Sequence, residues 1–363
     1  MIKHTPGIRR VTFCLLIISS YILSIESFDW AVIGAGAAGV IGVAALLDRI
    51  PPERIIWFDP EFNVGRMAKF YMRVPANSRA QEMAALMKAF ESFKSCSSMA
   101  ISALLAYPMY AEFYLQSLVE PLADITHQFI KRGVHAVKGM ADELVFHGDH
   151  WQIYSGTQSY RATRIILAIG AQPELLSYPG PSLIPLDYAV DKEILRTYIN
   201  SNDTIAVVGS GSSAILLLKH LSELPVKKVI NFLKHHHTIA RQKSLIRGAT
   251  ADWLKNVLEK SPPQNLVRVP NTPENRALYL PECNKIIYAI GYERNPLPRI
   301  VGMHEPLSPN KTGVLGPHLF GLGFAYPEEL SYPSANGQVV VPLVGVTSFM
   351  NFAKKMVPRW QEL

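Results

Sequence analysis

Twice along this chain a short apolar run ends in a glycine turn and passes into a helical pattern. That repetition constrains the fold more than any other feature. At 29–39 the stretch reads DWAVIGAGAAG, and at 204–214 it reads TIAVVGSGSSA. WAVIGA is a continuous apolar run of the kind a strand buried on both faces shows, AAGVIGVAALLDRI continues with helical spacing, and RIIWFDP reads as a second buried strand. Strand, turn, helix and strand make one βαβ unit. The second unit repeats the order with SAILLLKHLSEL and KVINFLK. Units this far apart are not a short repeat array and imply two nucleotide-binding folds, hence an α/β fold class.

Gly34, Gly36 and Gly39 form GxGxxG between strand and helix. The first glycine permits the tight turn, the second lets a pyrophosphate approach the backbone, and the third lets helix and strand pack closely. With Ala35, Ala37 and Ala38 they make a candidate phosphate cradle. A helix N-terminus there is worth about 0.3–1 kcal/mol for each negative charge placed at it. Asp59 ends the next strand 20 positions after Gly39, where a carboxylate can accept hydrogen bonds from both ribose hydroxyls. The second cradle is Gly209, Ser210, Gly211, Ser212 and Ser213, with Ala214 in the third-glycine position. Its following strand reads VINFLKHHH, with no acid. A carboxylate there would repel a 2′-phosphate and Lys234 would attract one, so NADPH is the expected second ligand, with NADH the alternative. Three adjacent histidines point in different directions and make a poor metal site, so no metal is expected.

Between the two units, AQEMAALMKAFESF and YAEFYLQSLVEPLADITHQFIKRG read as two helices. Residues 134–168 alternate like a small antiparallel meander, with Ala141 in it placed among the cofactor-lining candidates. KIIYAIG at 285–291 reads as a further strand, and VTSFMNFAKKMVPRW as a closing helix. With 363 residues, 48% of them apolar, the chain can bury two ordinary cores. Its cysteines are Cys14, Cys96 and Cys283, with no CxxC pair, which removes a redox dithiol and a cysteine zinc site together. Net charge is +7, of which the first 27 residues contribute +2. So small an excess, without interleaved aromatic patches, suits an anionic small molecule and not nucleic acid.

The first residues, MIKHTPGIRR then VTFCLLIISSYILSI, have the basic and apolar regions of a secretory signal, and Arg9-Arg10 with Phe13 partly matches a twin-arginine signal. No A-x-A cleavage site follows, and the run is short for a span of about 20 residues. A leader that exports or anchors the protein and a non-native start both fit. The expected compartment is cytoplasmic, unless residues 1–27 export the chain or anchor it to a membrane.

These motifs, in this order, resemble the two-dinucleotide-binding-domain flavoproteins, the superfamily of thioredoxin-reductase-like pyridine-nucleotide oxidoreductases and flavin monooxygenases. The resemblance covers nearly all of residues 28–357. It implies two Rossmann-like domains of three-layer ββα type, with FAD at the first turn and NAD(P)H at the second. The NAD(P)H domain, 176–284, would be inserted between FAD-domain parts 28–175 and 285–363. ILAIGAQP at 166–173 and IIYAIGYERN at 286–295 look like the family's paired A-T-G crossovers, which makes Ala168, Gly170 and Gly291 candidates, with Ile169 and Ile290 in place of the usual Thr. GRMAKFYMRVPANSR resembles the segment beside the flavin, so Asn77 and Ser78 are pocket candidates, a plain helix N-cap being the other reading. Gly323 matches the glycine of the family's G-D motif, but Phe324 stands in place of its Asp. The N-terminus of the last helix, Gly345 to Thr347, would point at the flavin pyrimidine.

The implied chemistry is hydride transfer from nicotinamide to flavin, for which no side chain need act as acid or base. Without CxxC, a thioredoxin reductase is disfavoured. A small-molecule acceptor would make a reductase, and dioxygen a monooxygenase. The monooxygenase fingerprint FxGxxxHxxx(F/Y) is absent, which lowers the Baeyer-Villiger and typical N-oxygenating readings without excluding a divergent hydroxylase. A non-catalytic flavin-binding redox sensor is the reading from another class. A homodimer is compatible with the sequence.

Overall fold

The structure is a computed structural model, and it describes residues 26–76, 78–108, 112–233, 246, 248–303, 311–334 and 337–363. Ser27–Ile33 lies at the centre of the first sheet, parallel to Ile55–Phe58 on one side and to Gln158–Leu167 on the other. His135–Val137 extends it beyond Ile55–Phe58, and Leu319–Gly321 runs parallel to the end of Gln158–Leu167. The first half of that long strand instead pairs antiparallel with Trp151–Ser155, which pairs with Glu143–Phe146. One ten-residue strand thus belongs to both a parallel layer and a meander.

The period-2 alternation of a strand divides the core between the two faces. Trp30 and Val32 pack with the helices Ala37–Leu47, Gln116–Lys131 and Val346–Trp360, while Ala31 and Ile33 pack with Leu144, Trp151 and Ile153 of the meander. The result is the expected helix, sheet and meander stack. Trp360 closes it: its ring stacks on Phe320 at 4.9 Å and its indole N–H donates to the Thr312 carbonyl at 2.7 Å.

The second sheet is wholly parallel, in the order Leu266–Pro270, Lys228–Leu233, Thr204–Val208, Lys285–Tyr288, Ser182–Leu183. Ile205 and Val207 face the helix Ser212–Ser222, while Ala206 and Val208 face the opposite cluster. The α/β class with two Rossmann-like domains is therefore present. Ala171–Pro173 and Tyr292–Arg294, the strands just after the crossover glycines, pair antiparallel as the ribbon between the two domains.

Three expectations are corrected. Lys285–Tyr288 does not return the chain to the first domain at 285: it is a strand of the second sheet, hydrogen-bonded beside Thr204–Val208, and the return follows Gly291. The described residues of 80–131 hold three helices, Ala80–Met87, Glu91–Ala106 and Gln116–Lys131, because the first expected helix breaks at 88–90. His135–Val137, read as part of the meander, joins the parallel sheet. Of residues 1–27, read as a leader, 1–25 lie outside the described residues and Ser27 already belongs to the strand Ser27–Ile33; among the described residues no helix is long and apolar enough to cross a membrane.

A buried polar knot ties down one end of the second sheet. Asp203, 1% exposed, accepts from Lys285 Nζ at 2.7 Å, from Asn284 Nδ2 at 2.6 Å and from the Asn200 N–H at 2.7 Å. Burial pushes its carboxyl upward, but these donors outweigh that and hold it below the ordinary range. Asp203→Ala strands a largely covered ammonium and is expected to cost about 3 kcal/mol in urea unfolding. Since the folded value is depressed, the contribution is complete above the unfolded carboxyl value of about 4 and disappears as pH falls through the folded one. The difference between native and variant should accordingly be constant above about pH 5 and shrink in acid.

Candidate dinucleotide and redox site

The two glycine turns are built on one plan. Gly34 N–H donates to the Phe58 carbonyl at 2.8 Å, and Gly209 N–H to the Phe232 carbonyl at 2.9 Å. Ala168 N–H donates to Ile33 and Ala289 N–H to Val208, at 2.9 and 2.8 Å. A Cβ on Gly34 would lie 2.4 Å from the Ala168 carbonyl oxygen, and one on Gly209 would lie 2.1 Å from that of Ala289. Each turn can therefore approach its crossover strand only as glycine, and both have positive φ, +104° and +131°. In each, the carbonyl of that glycine accepts a side-chain N–H from the next strand: Trp57 Nε1 at 2.9 Å for Gly34, and Asn231 Nδ2 at 2.9 Å for Gly209. Sequence reading missed Trp57 and Asn231, because both look like ordinary strand residues.

Gly36 differs from Gly34: a Cβ there would meet nothing within 4 Å. The space is open and adjoins a cavity of about 400 Å³. Gly36, Ala37 and Ala38 line it from the first turn, Ser212 and Ser213 from the second, and Ala168 and Gly170 from the crossover. Ser78 and Gly345 line it at the start of the closing helix, where the Ser78 hydroxyl lies 3.2 Å from that of Thr347. The N-cap of Ala80–Met87 is Arg79, so Ser78 is not the cap of that helix. This open backbone beside two helix N-termini fits a dinucleotide.

The other candidates sit around this cavity or apart from it. A Cβ on Gly39 would lie 1.9 Å from the Gly34 carbonyl, and one on Gly323 would lie 2.3 Å from Ala38 Cβ, so both set packing. Gly291 has φ +130° at the second crossover, and Ser210 and Gly211 complete the second turn. Phe324 lines the cavity with its ring 4.9 Å from Tyr292. Ala141 does not line it: it is buried with the meander cluster on the other face of the sheet. Asn77 and Lys234 lie outside the described residues.

Asp59 has more than one task. Its Oδ1 accepts the N–H groups of Glu61 and Phe62 at 2.8 and 2.7 Å, and its Oδ2 accepts that of Ala35 at 2.7 Å. With Oδ1 filled, the carboxylate presents one remaining lone pair on Oδ2, so it suits one ribose hydroxyl and not the expected two.

A polar chain reaches the cavity from residues that sequence reading did not single out. The Tyr71 hydroxyl donates to Asp187, which pairs with Arg66 at 3.1 Å, and Tyr292 is hydrogen-bonded to Tyr71 and Ser213. Burial, then the neighbouring Tyr292 and Asp187, push the Tyr71 phenol far above its ordinary value, and burial raises Tyr292 as well. Both are neutral donors at any working pH.

No protein-family model matches the chain. Monooxygenase AgnR1 from Paecilomyces divaricatus is 27% identical over 392 residues, which covers 91% of this chain and 97% of that protein. Among solved structures, the ornithine N-hydroxylase of Kutzneria sp. 744, determined with reduced FAD, NADP+ and L-ornithine, aligns with a TM-score of 0.62 at 11% identity, covering 93% of this chain and 99% of that one. The thioredoxin reductase of Lactococcus lactis aligns with a TM-score of 0.58 at 13% identity, covering 92% and 98%. The chain has the fold of the two-dinucleotide-binding-domain flavoproteins, as its motifs imply.

Gly36→Val separates binding from folding. Its backbone, φ −69° and ψ 178°, accepts a β-branched residue, and the new Cβ would meet nothing within 4 Å. The unfolding midpoint should stay within about 3 °C of the parent, while flavin absorbance per protein after gel filtration falls to background.

Proposed function

We propose that the protein is an FAD-dependent oxidoreductase that takes hydride from NAD(P)H and passes the electrons to a small-molecule acceptor or to dioxygen. The observation that carries this reading is that both glycine turns open onto one cavity, with the crossover strands and the start of the closing helix as its remaining walls. Bound FAD supplies a two-electron centre that accepts hydride from nicotinamide and delivers the electrons onward. The chain's own part is to bind and orient. The open backbone at Gly36 and the amides of Ala37 and Ala38 receive one pyrophosphate, and Ser212 and Ser213 receive the other. The first amides of Val346–Trp360, beside Ser78 and Thr347, favour negative charge at that end of the cavity. Met67, Val74, Met83, Phe324 and Phe349 keep the chamber apolar and exclude water.

Dioxygen as acceptor, a monooxygenase reaction, is favoured by the name of the relative that matches over nearly its whole length. The route through a CxxC dithiol is closed, since the chain contains no such pair. For the second nucleotide, the residue in the place of Asp59 is Leu233, one beyond the Phe232 carbonyl that receives Gly209 N–H. With no carboxylate there to repel a 2′-phosphate, NADPH is the preferred donor.

Purified protein should be yellow, and NADPH added without oxygen should bleach it faster than NADH does. Lys234→Ala should narrow that preference roughly tenfold, the worth of one charge-assisted hydrogen bond. Mixing the bleached protein with oxygen, quinones and disulfides, with peroxide measured, distinguishes oxygenase, reductase and inert flavin binder. A colourless protein that takes up no FAD overturns the assignment.

A further inference from the structure

The two domains meet in more than the crossover ribbon. From the first domain, the segment following the open turn carries Arg66, Tyr71 and Arg73 to two carboxylates of the second, Asp187 and Asp191. Asp187, 9% exposed, is held by Arg66 at 3.1 Å and by the Tyr71 hydroxyl. Asp191, 5% exposed, takes Arg73 Nε on one oxygen and caps Lys192–Tyr198 with the other, accepting from Glu193 and Ile194 N–H. The same segment contributes apolar contacts, for Tyr71 and Val74 pack against the core cluster of the inserted domain and Phe70 meets Tyr188 at 5.7 Å between ring centroids. Elsewhere in the interface, Glu112 Oε1 accepts the Ala249 N–H at 3.1 Å.

Rotation of one domain against the other would break all of these contacts at once. It would draw Tyr71 and Val74 out of an apolar core, strip Asp187 of its cation and phenol donor, and part Tyr292 from Ser213. In the joined arrangement both glycine turns already face the same cavity, so nothing in the geometry calls for rotation. We infer that Asp187 is a positioning residue: through Arg66 and Tyr71 it holds the inserted domain in the orientation in which hydride passes across the cavity, and the domains do not rotate between nucleotide binding and transfer. This rests on the oxidoreductase reading above.

A cross-link between the domains tests it. In a Cys96→Ser background, Glu112→Cys with Gly248→Cys places the two Cβ positions about 3.1 Å apart, inside the usual disulfide spacing of about 3.5–4.5 Å, and the left-handed backbone of Gly248, φ +61°, strains the reduced and the oxidised form alike. The disulfide should form readily without nucleotide, and Asp187→Ala in the same background should slow its formation at least tenfold. Asp187→Asn, which keeps an acceptor for Tyr71 but loses the charge, should fall between. The oxidised, cross-linked protein should be bleached by NADPH within about twofold of its reduced form. In the uncross-linked chain, Asp187→Ala should lower the bleaching rate at saturating NADPH at least tenfold, with FAD content unchanged. Bleaching that stops on cross-linking and returns with dithiothreitol overturns the proposal, as does an Asp187→Ala variant that cross-links and bleaches like its parent. Should the cysteine variant not fold, small-angle scattering of the native protein decides: its radius of gyration should be the same with and without NADPH, and a change overturns the fixed arrangement. Native protein that never bleaches removes the oxidoreductase reading, while cross-linking and scattering still report on the domains.

Discussion

Two contacts between backbone atoms set the rest of this structure: the approach of Gly34 to the Ala168 carbonyl and of Gly209 to the Ala289 carbonyl. At ideal Cβ distances of 2.4 and 2.1 Å no side chain fits, so each turn is pressed against the end of a crossover strand. That contact places the following helix N-terminus over the sheet edge, and the crossover glycines, two residues further on, lead the chain from one domain to the other. Because each domain makes this contact at one of the two paired crossover segments, the two turns open toward the same space. The cavity between them is a consequence of the repeated contact, and its apolar walls fill in around it.

The repetition also shows where the units diverge. Trp57 and Asn231 perform the same task, donating to the first glycine's carbonyl, with side chains of very different size. The indole belongs to a large apolar core beneath the first turn. Asn231 instead spends both N–H groups on Val207 and Gly209 and accepts from Arg268 at 3.3 Å, a smaller and more polar support. One residue past each Phe carbonyl the chain has Asp59 in the first unit and Leu233 in the second. Asp59 is bound into its own loop through Ala35, Glu61 and Phe62, so the first turn is rigid before any ligand arrives. A turn braced in this way suits a nucleotide that stays.

What could be read in the sequence was whatever depends on local spacing. The glycine turns, the buried strands beside them, the paired crossovers and the closing helix each announce themselves within about a dozen residues. Long-range partnerships did not. Lys285–Tyr288 carries an apolar pattern that suits either sheet, and only its register beside Ile205–Val208 assigns it to the second. The serines of ESFKSCSSMAISALLA hid a sixteen-residue helix that packs mainly on its neighbours. Tyr71 and Asp187 are 116 positions apart, and although Tyr71 lies in the segment that resembles the family's run beside the flavin, nothing in that segment points to Asp187. Ala141 is buried with the meander cluster across the sheet, apart from the residues that line the cavity.

The cavity's chemistry follows from those long-range pairs. Among its described lining residues the titratable groups are Arg66, Tyr71 and Tyr292. Arg66 is matched by Asp187, and burial keeps both phenols protonated. No lining carboxylate, imidazole, amine or thiol is present among them to trade protons or carry electrons. Such a lining agrees with the proposed reaction, which works by position. Hydride transfer needs two rings held face to face in a dry space and asks for no acid or base. The polar groups that do surround the cavity serve the walls: Asp187 and Asp191 join the domains, and Asp59 braces the loop. The charges lie where they fix geometry, and the space between the two turns is left apolar, as the proposed stacking of two rings requires.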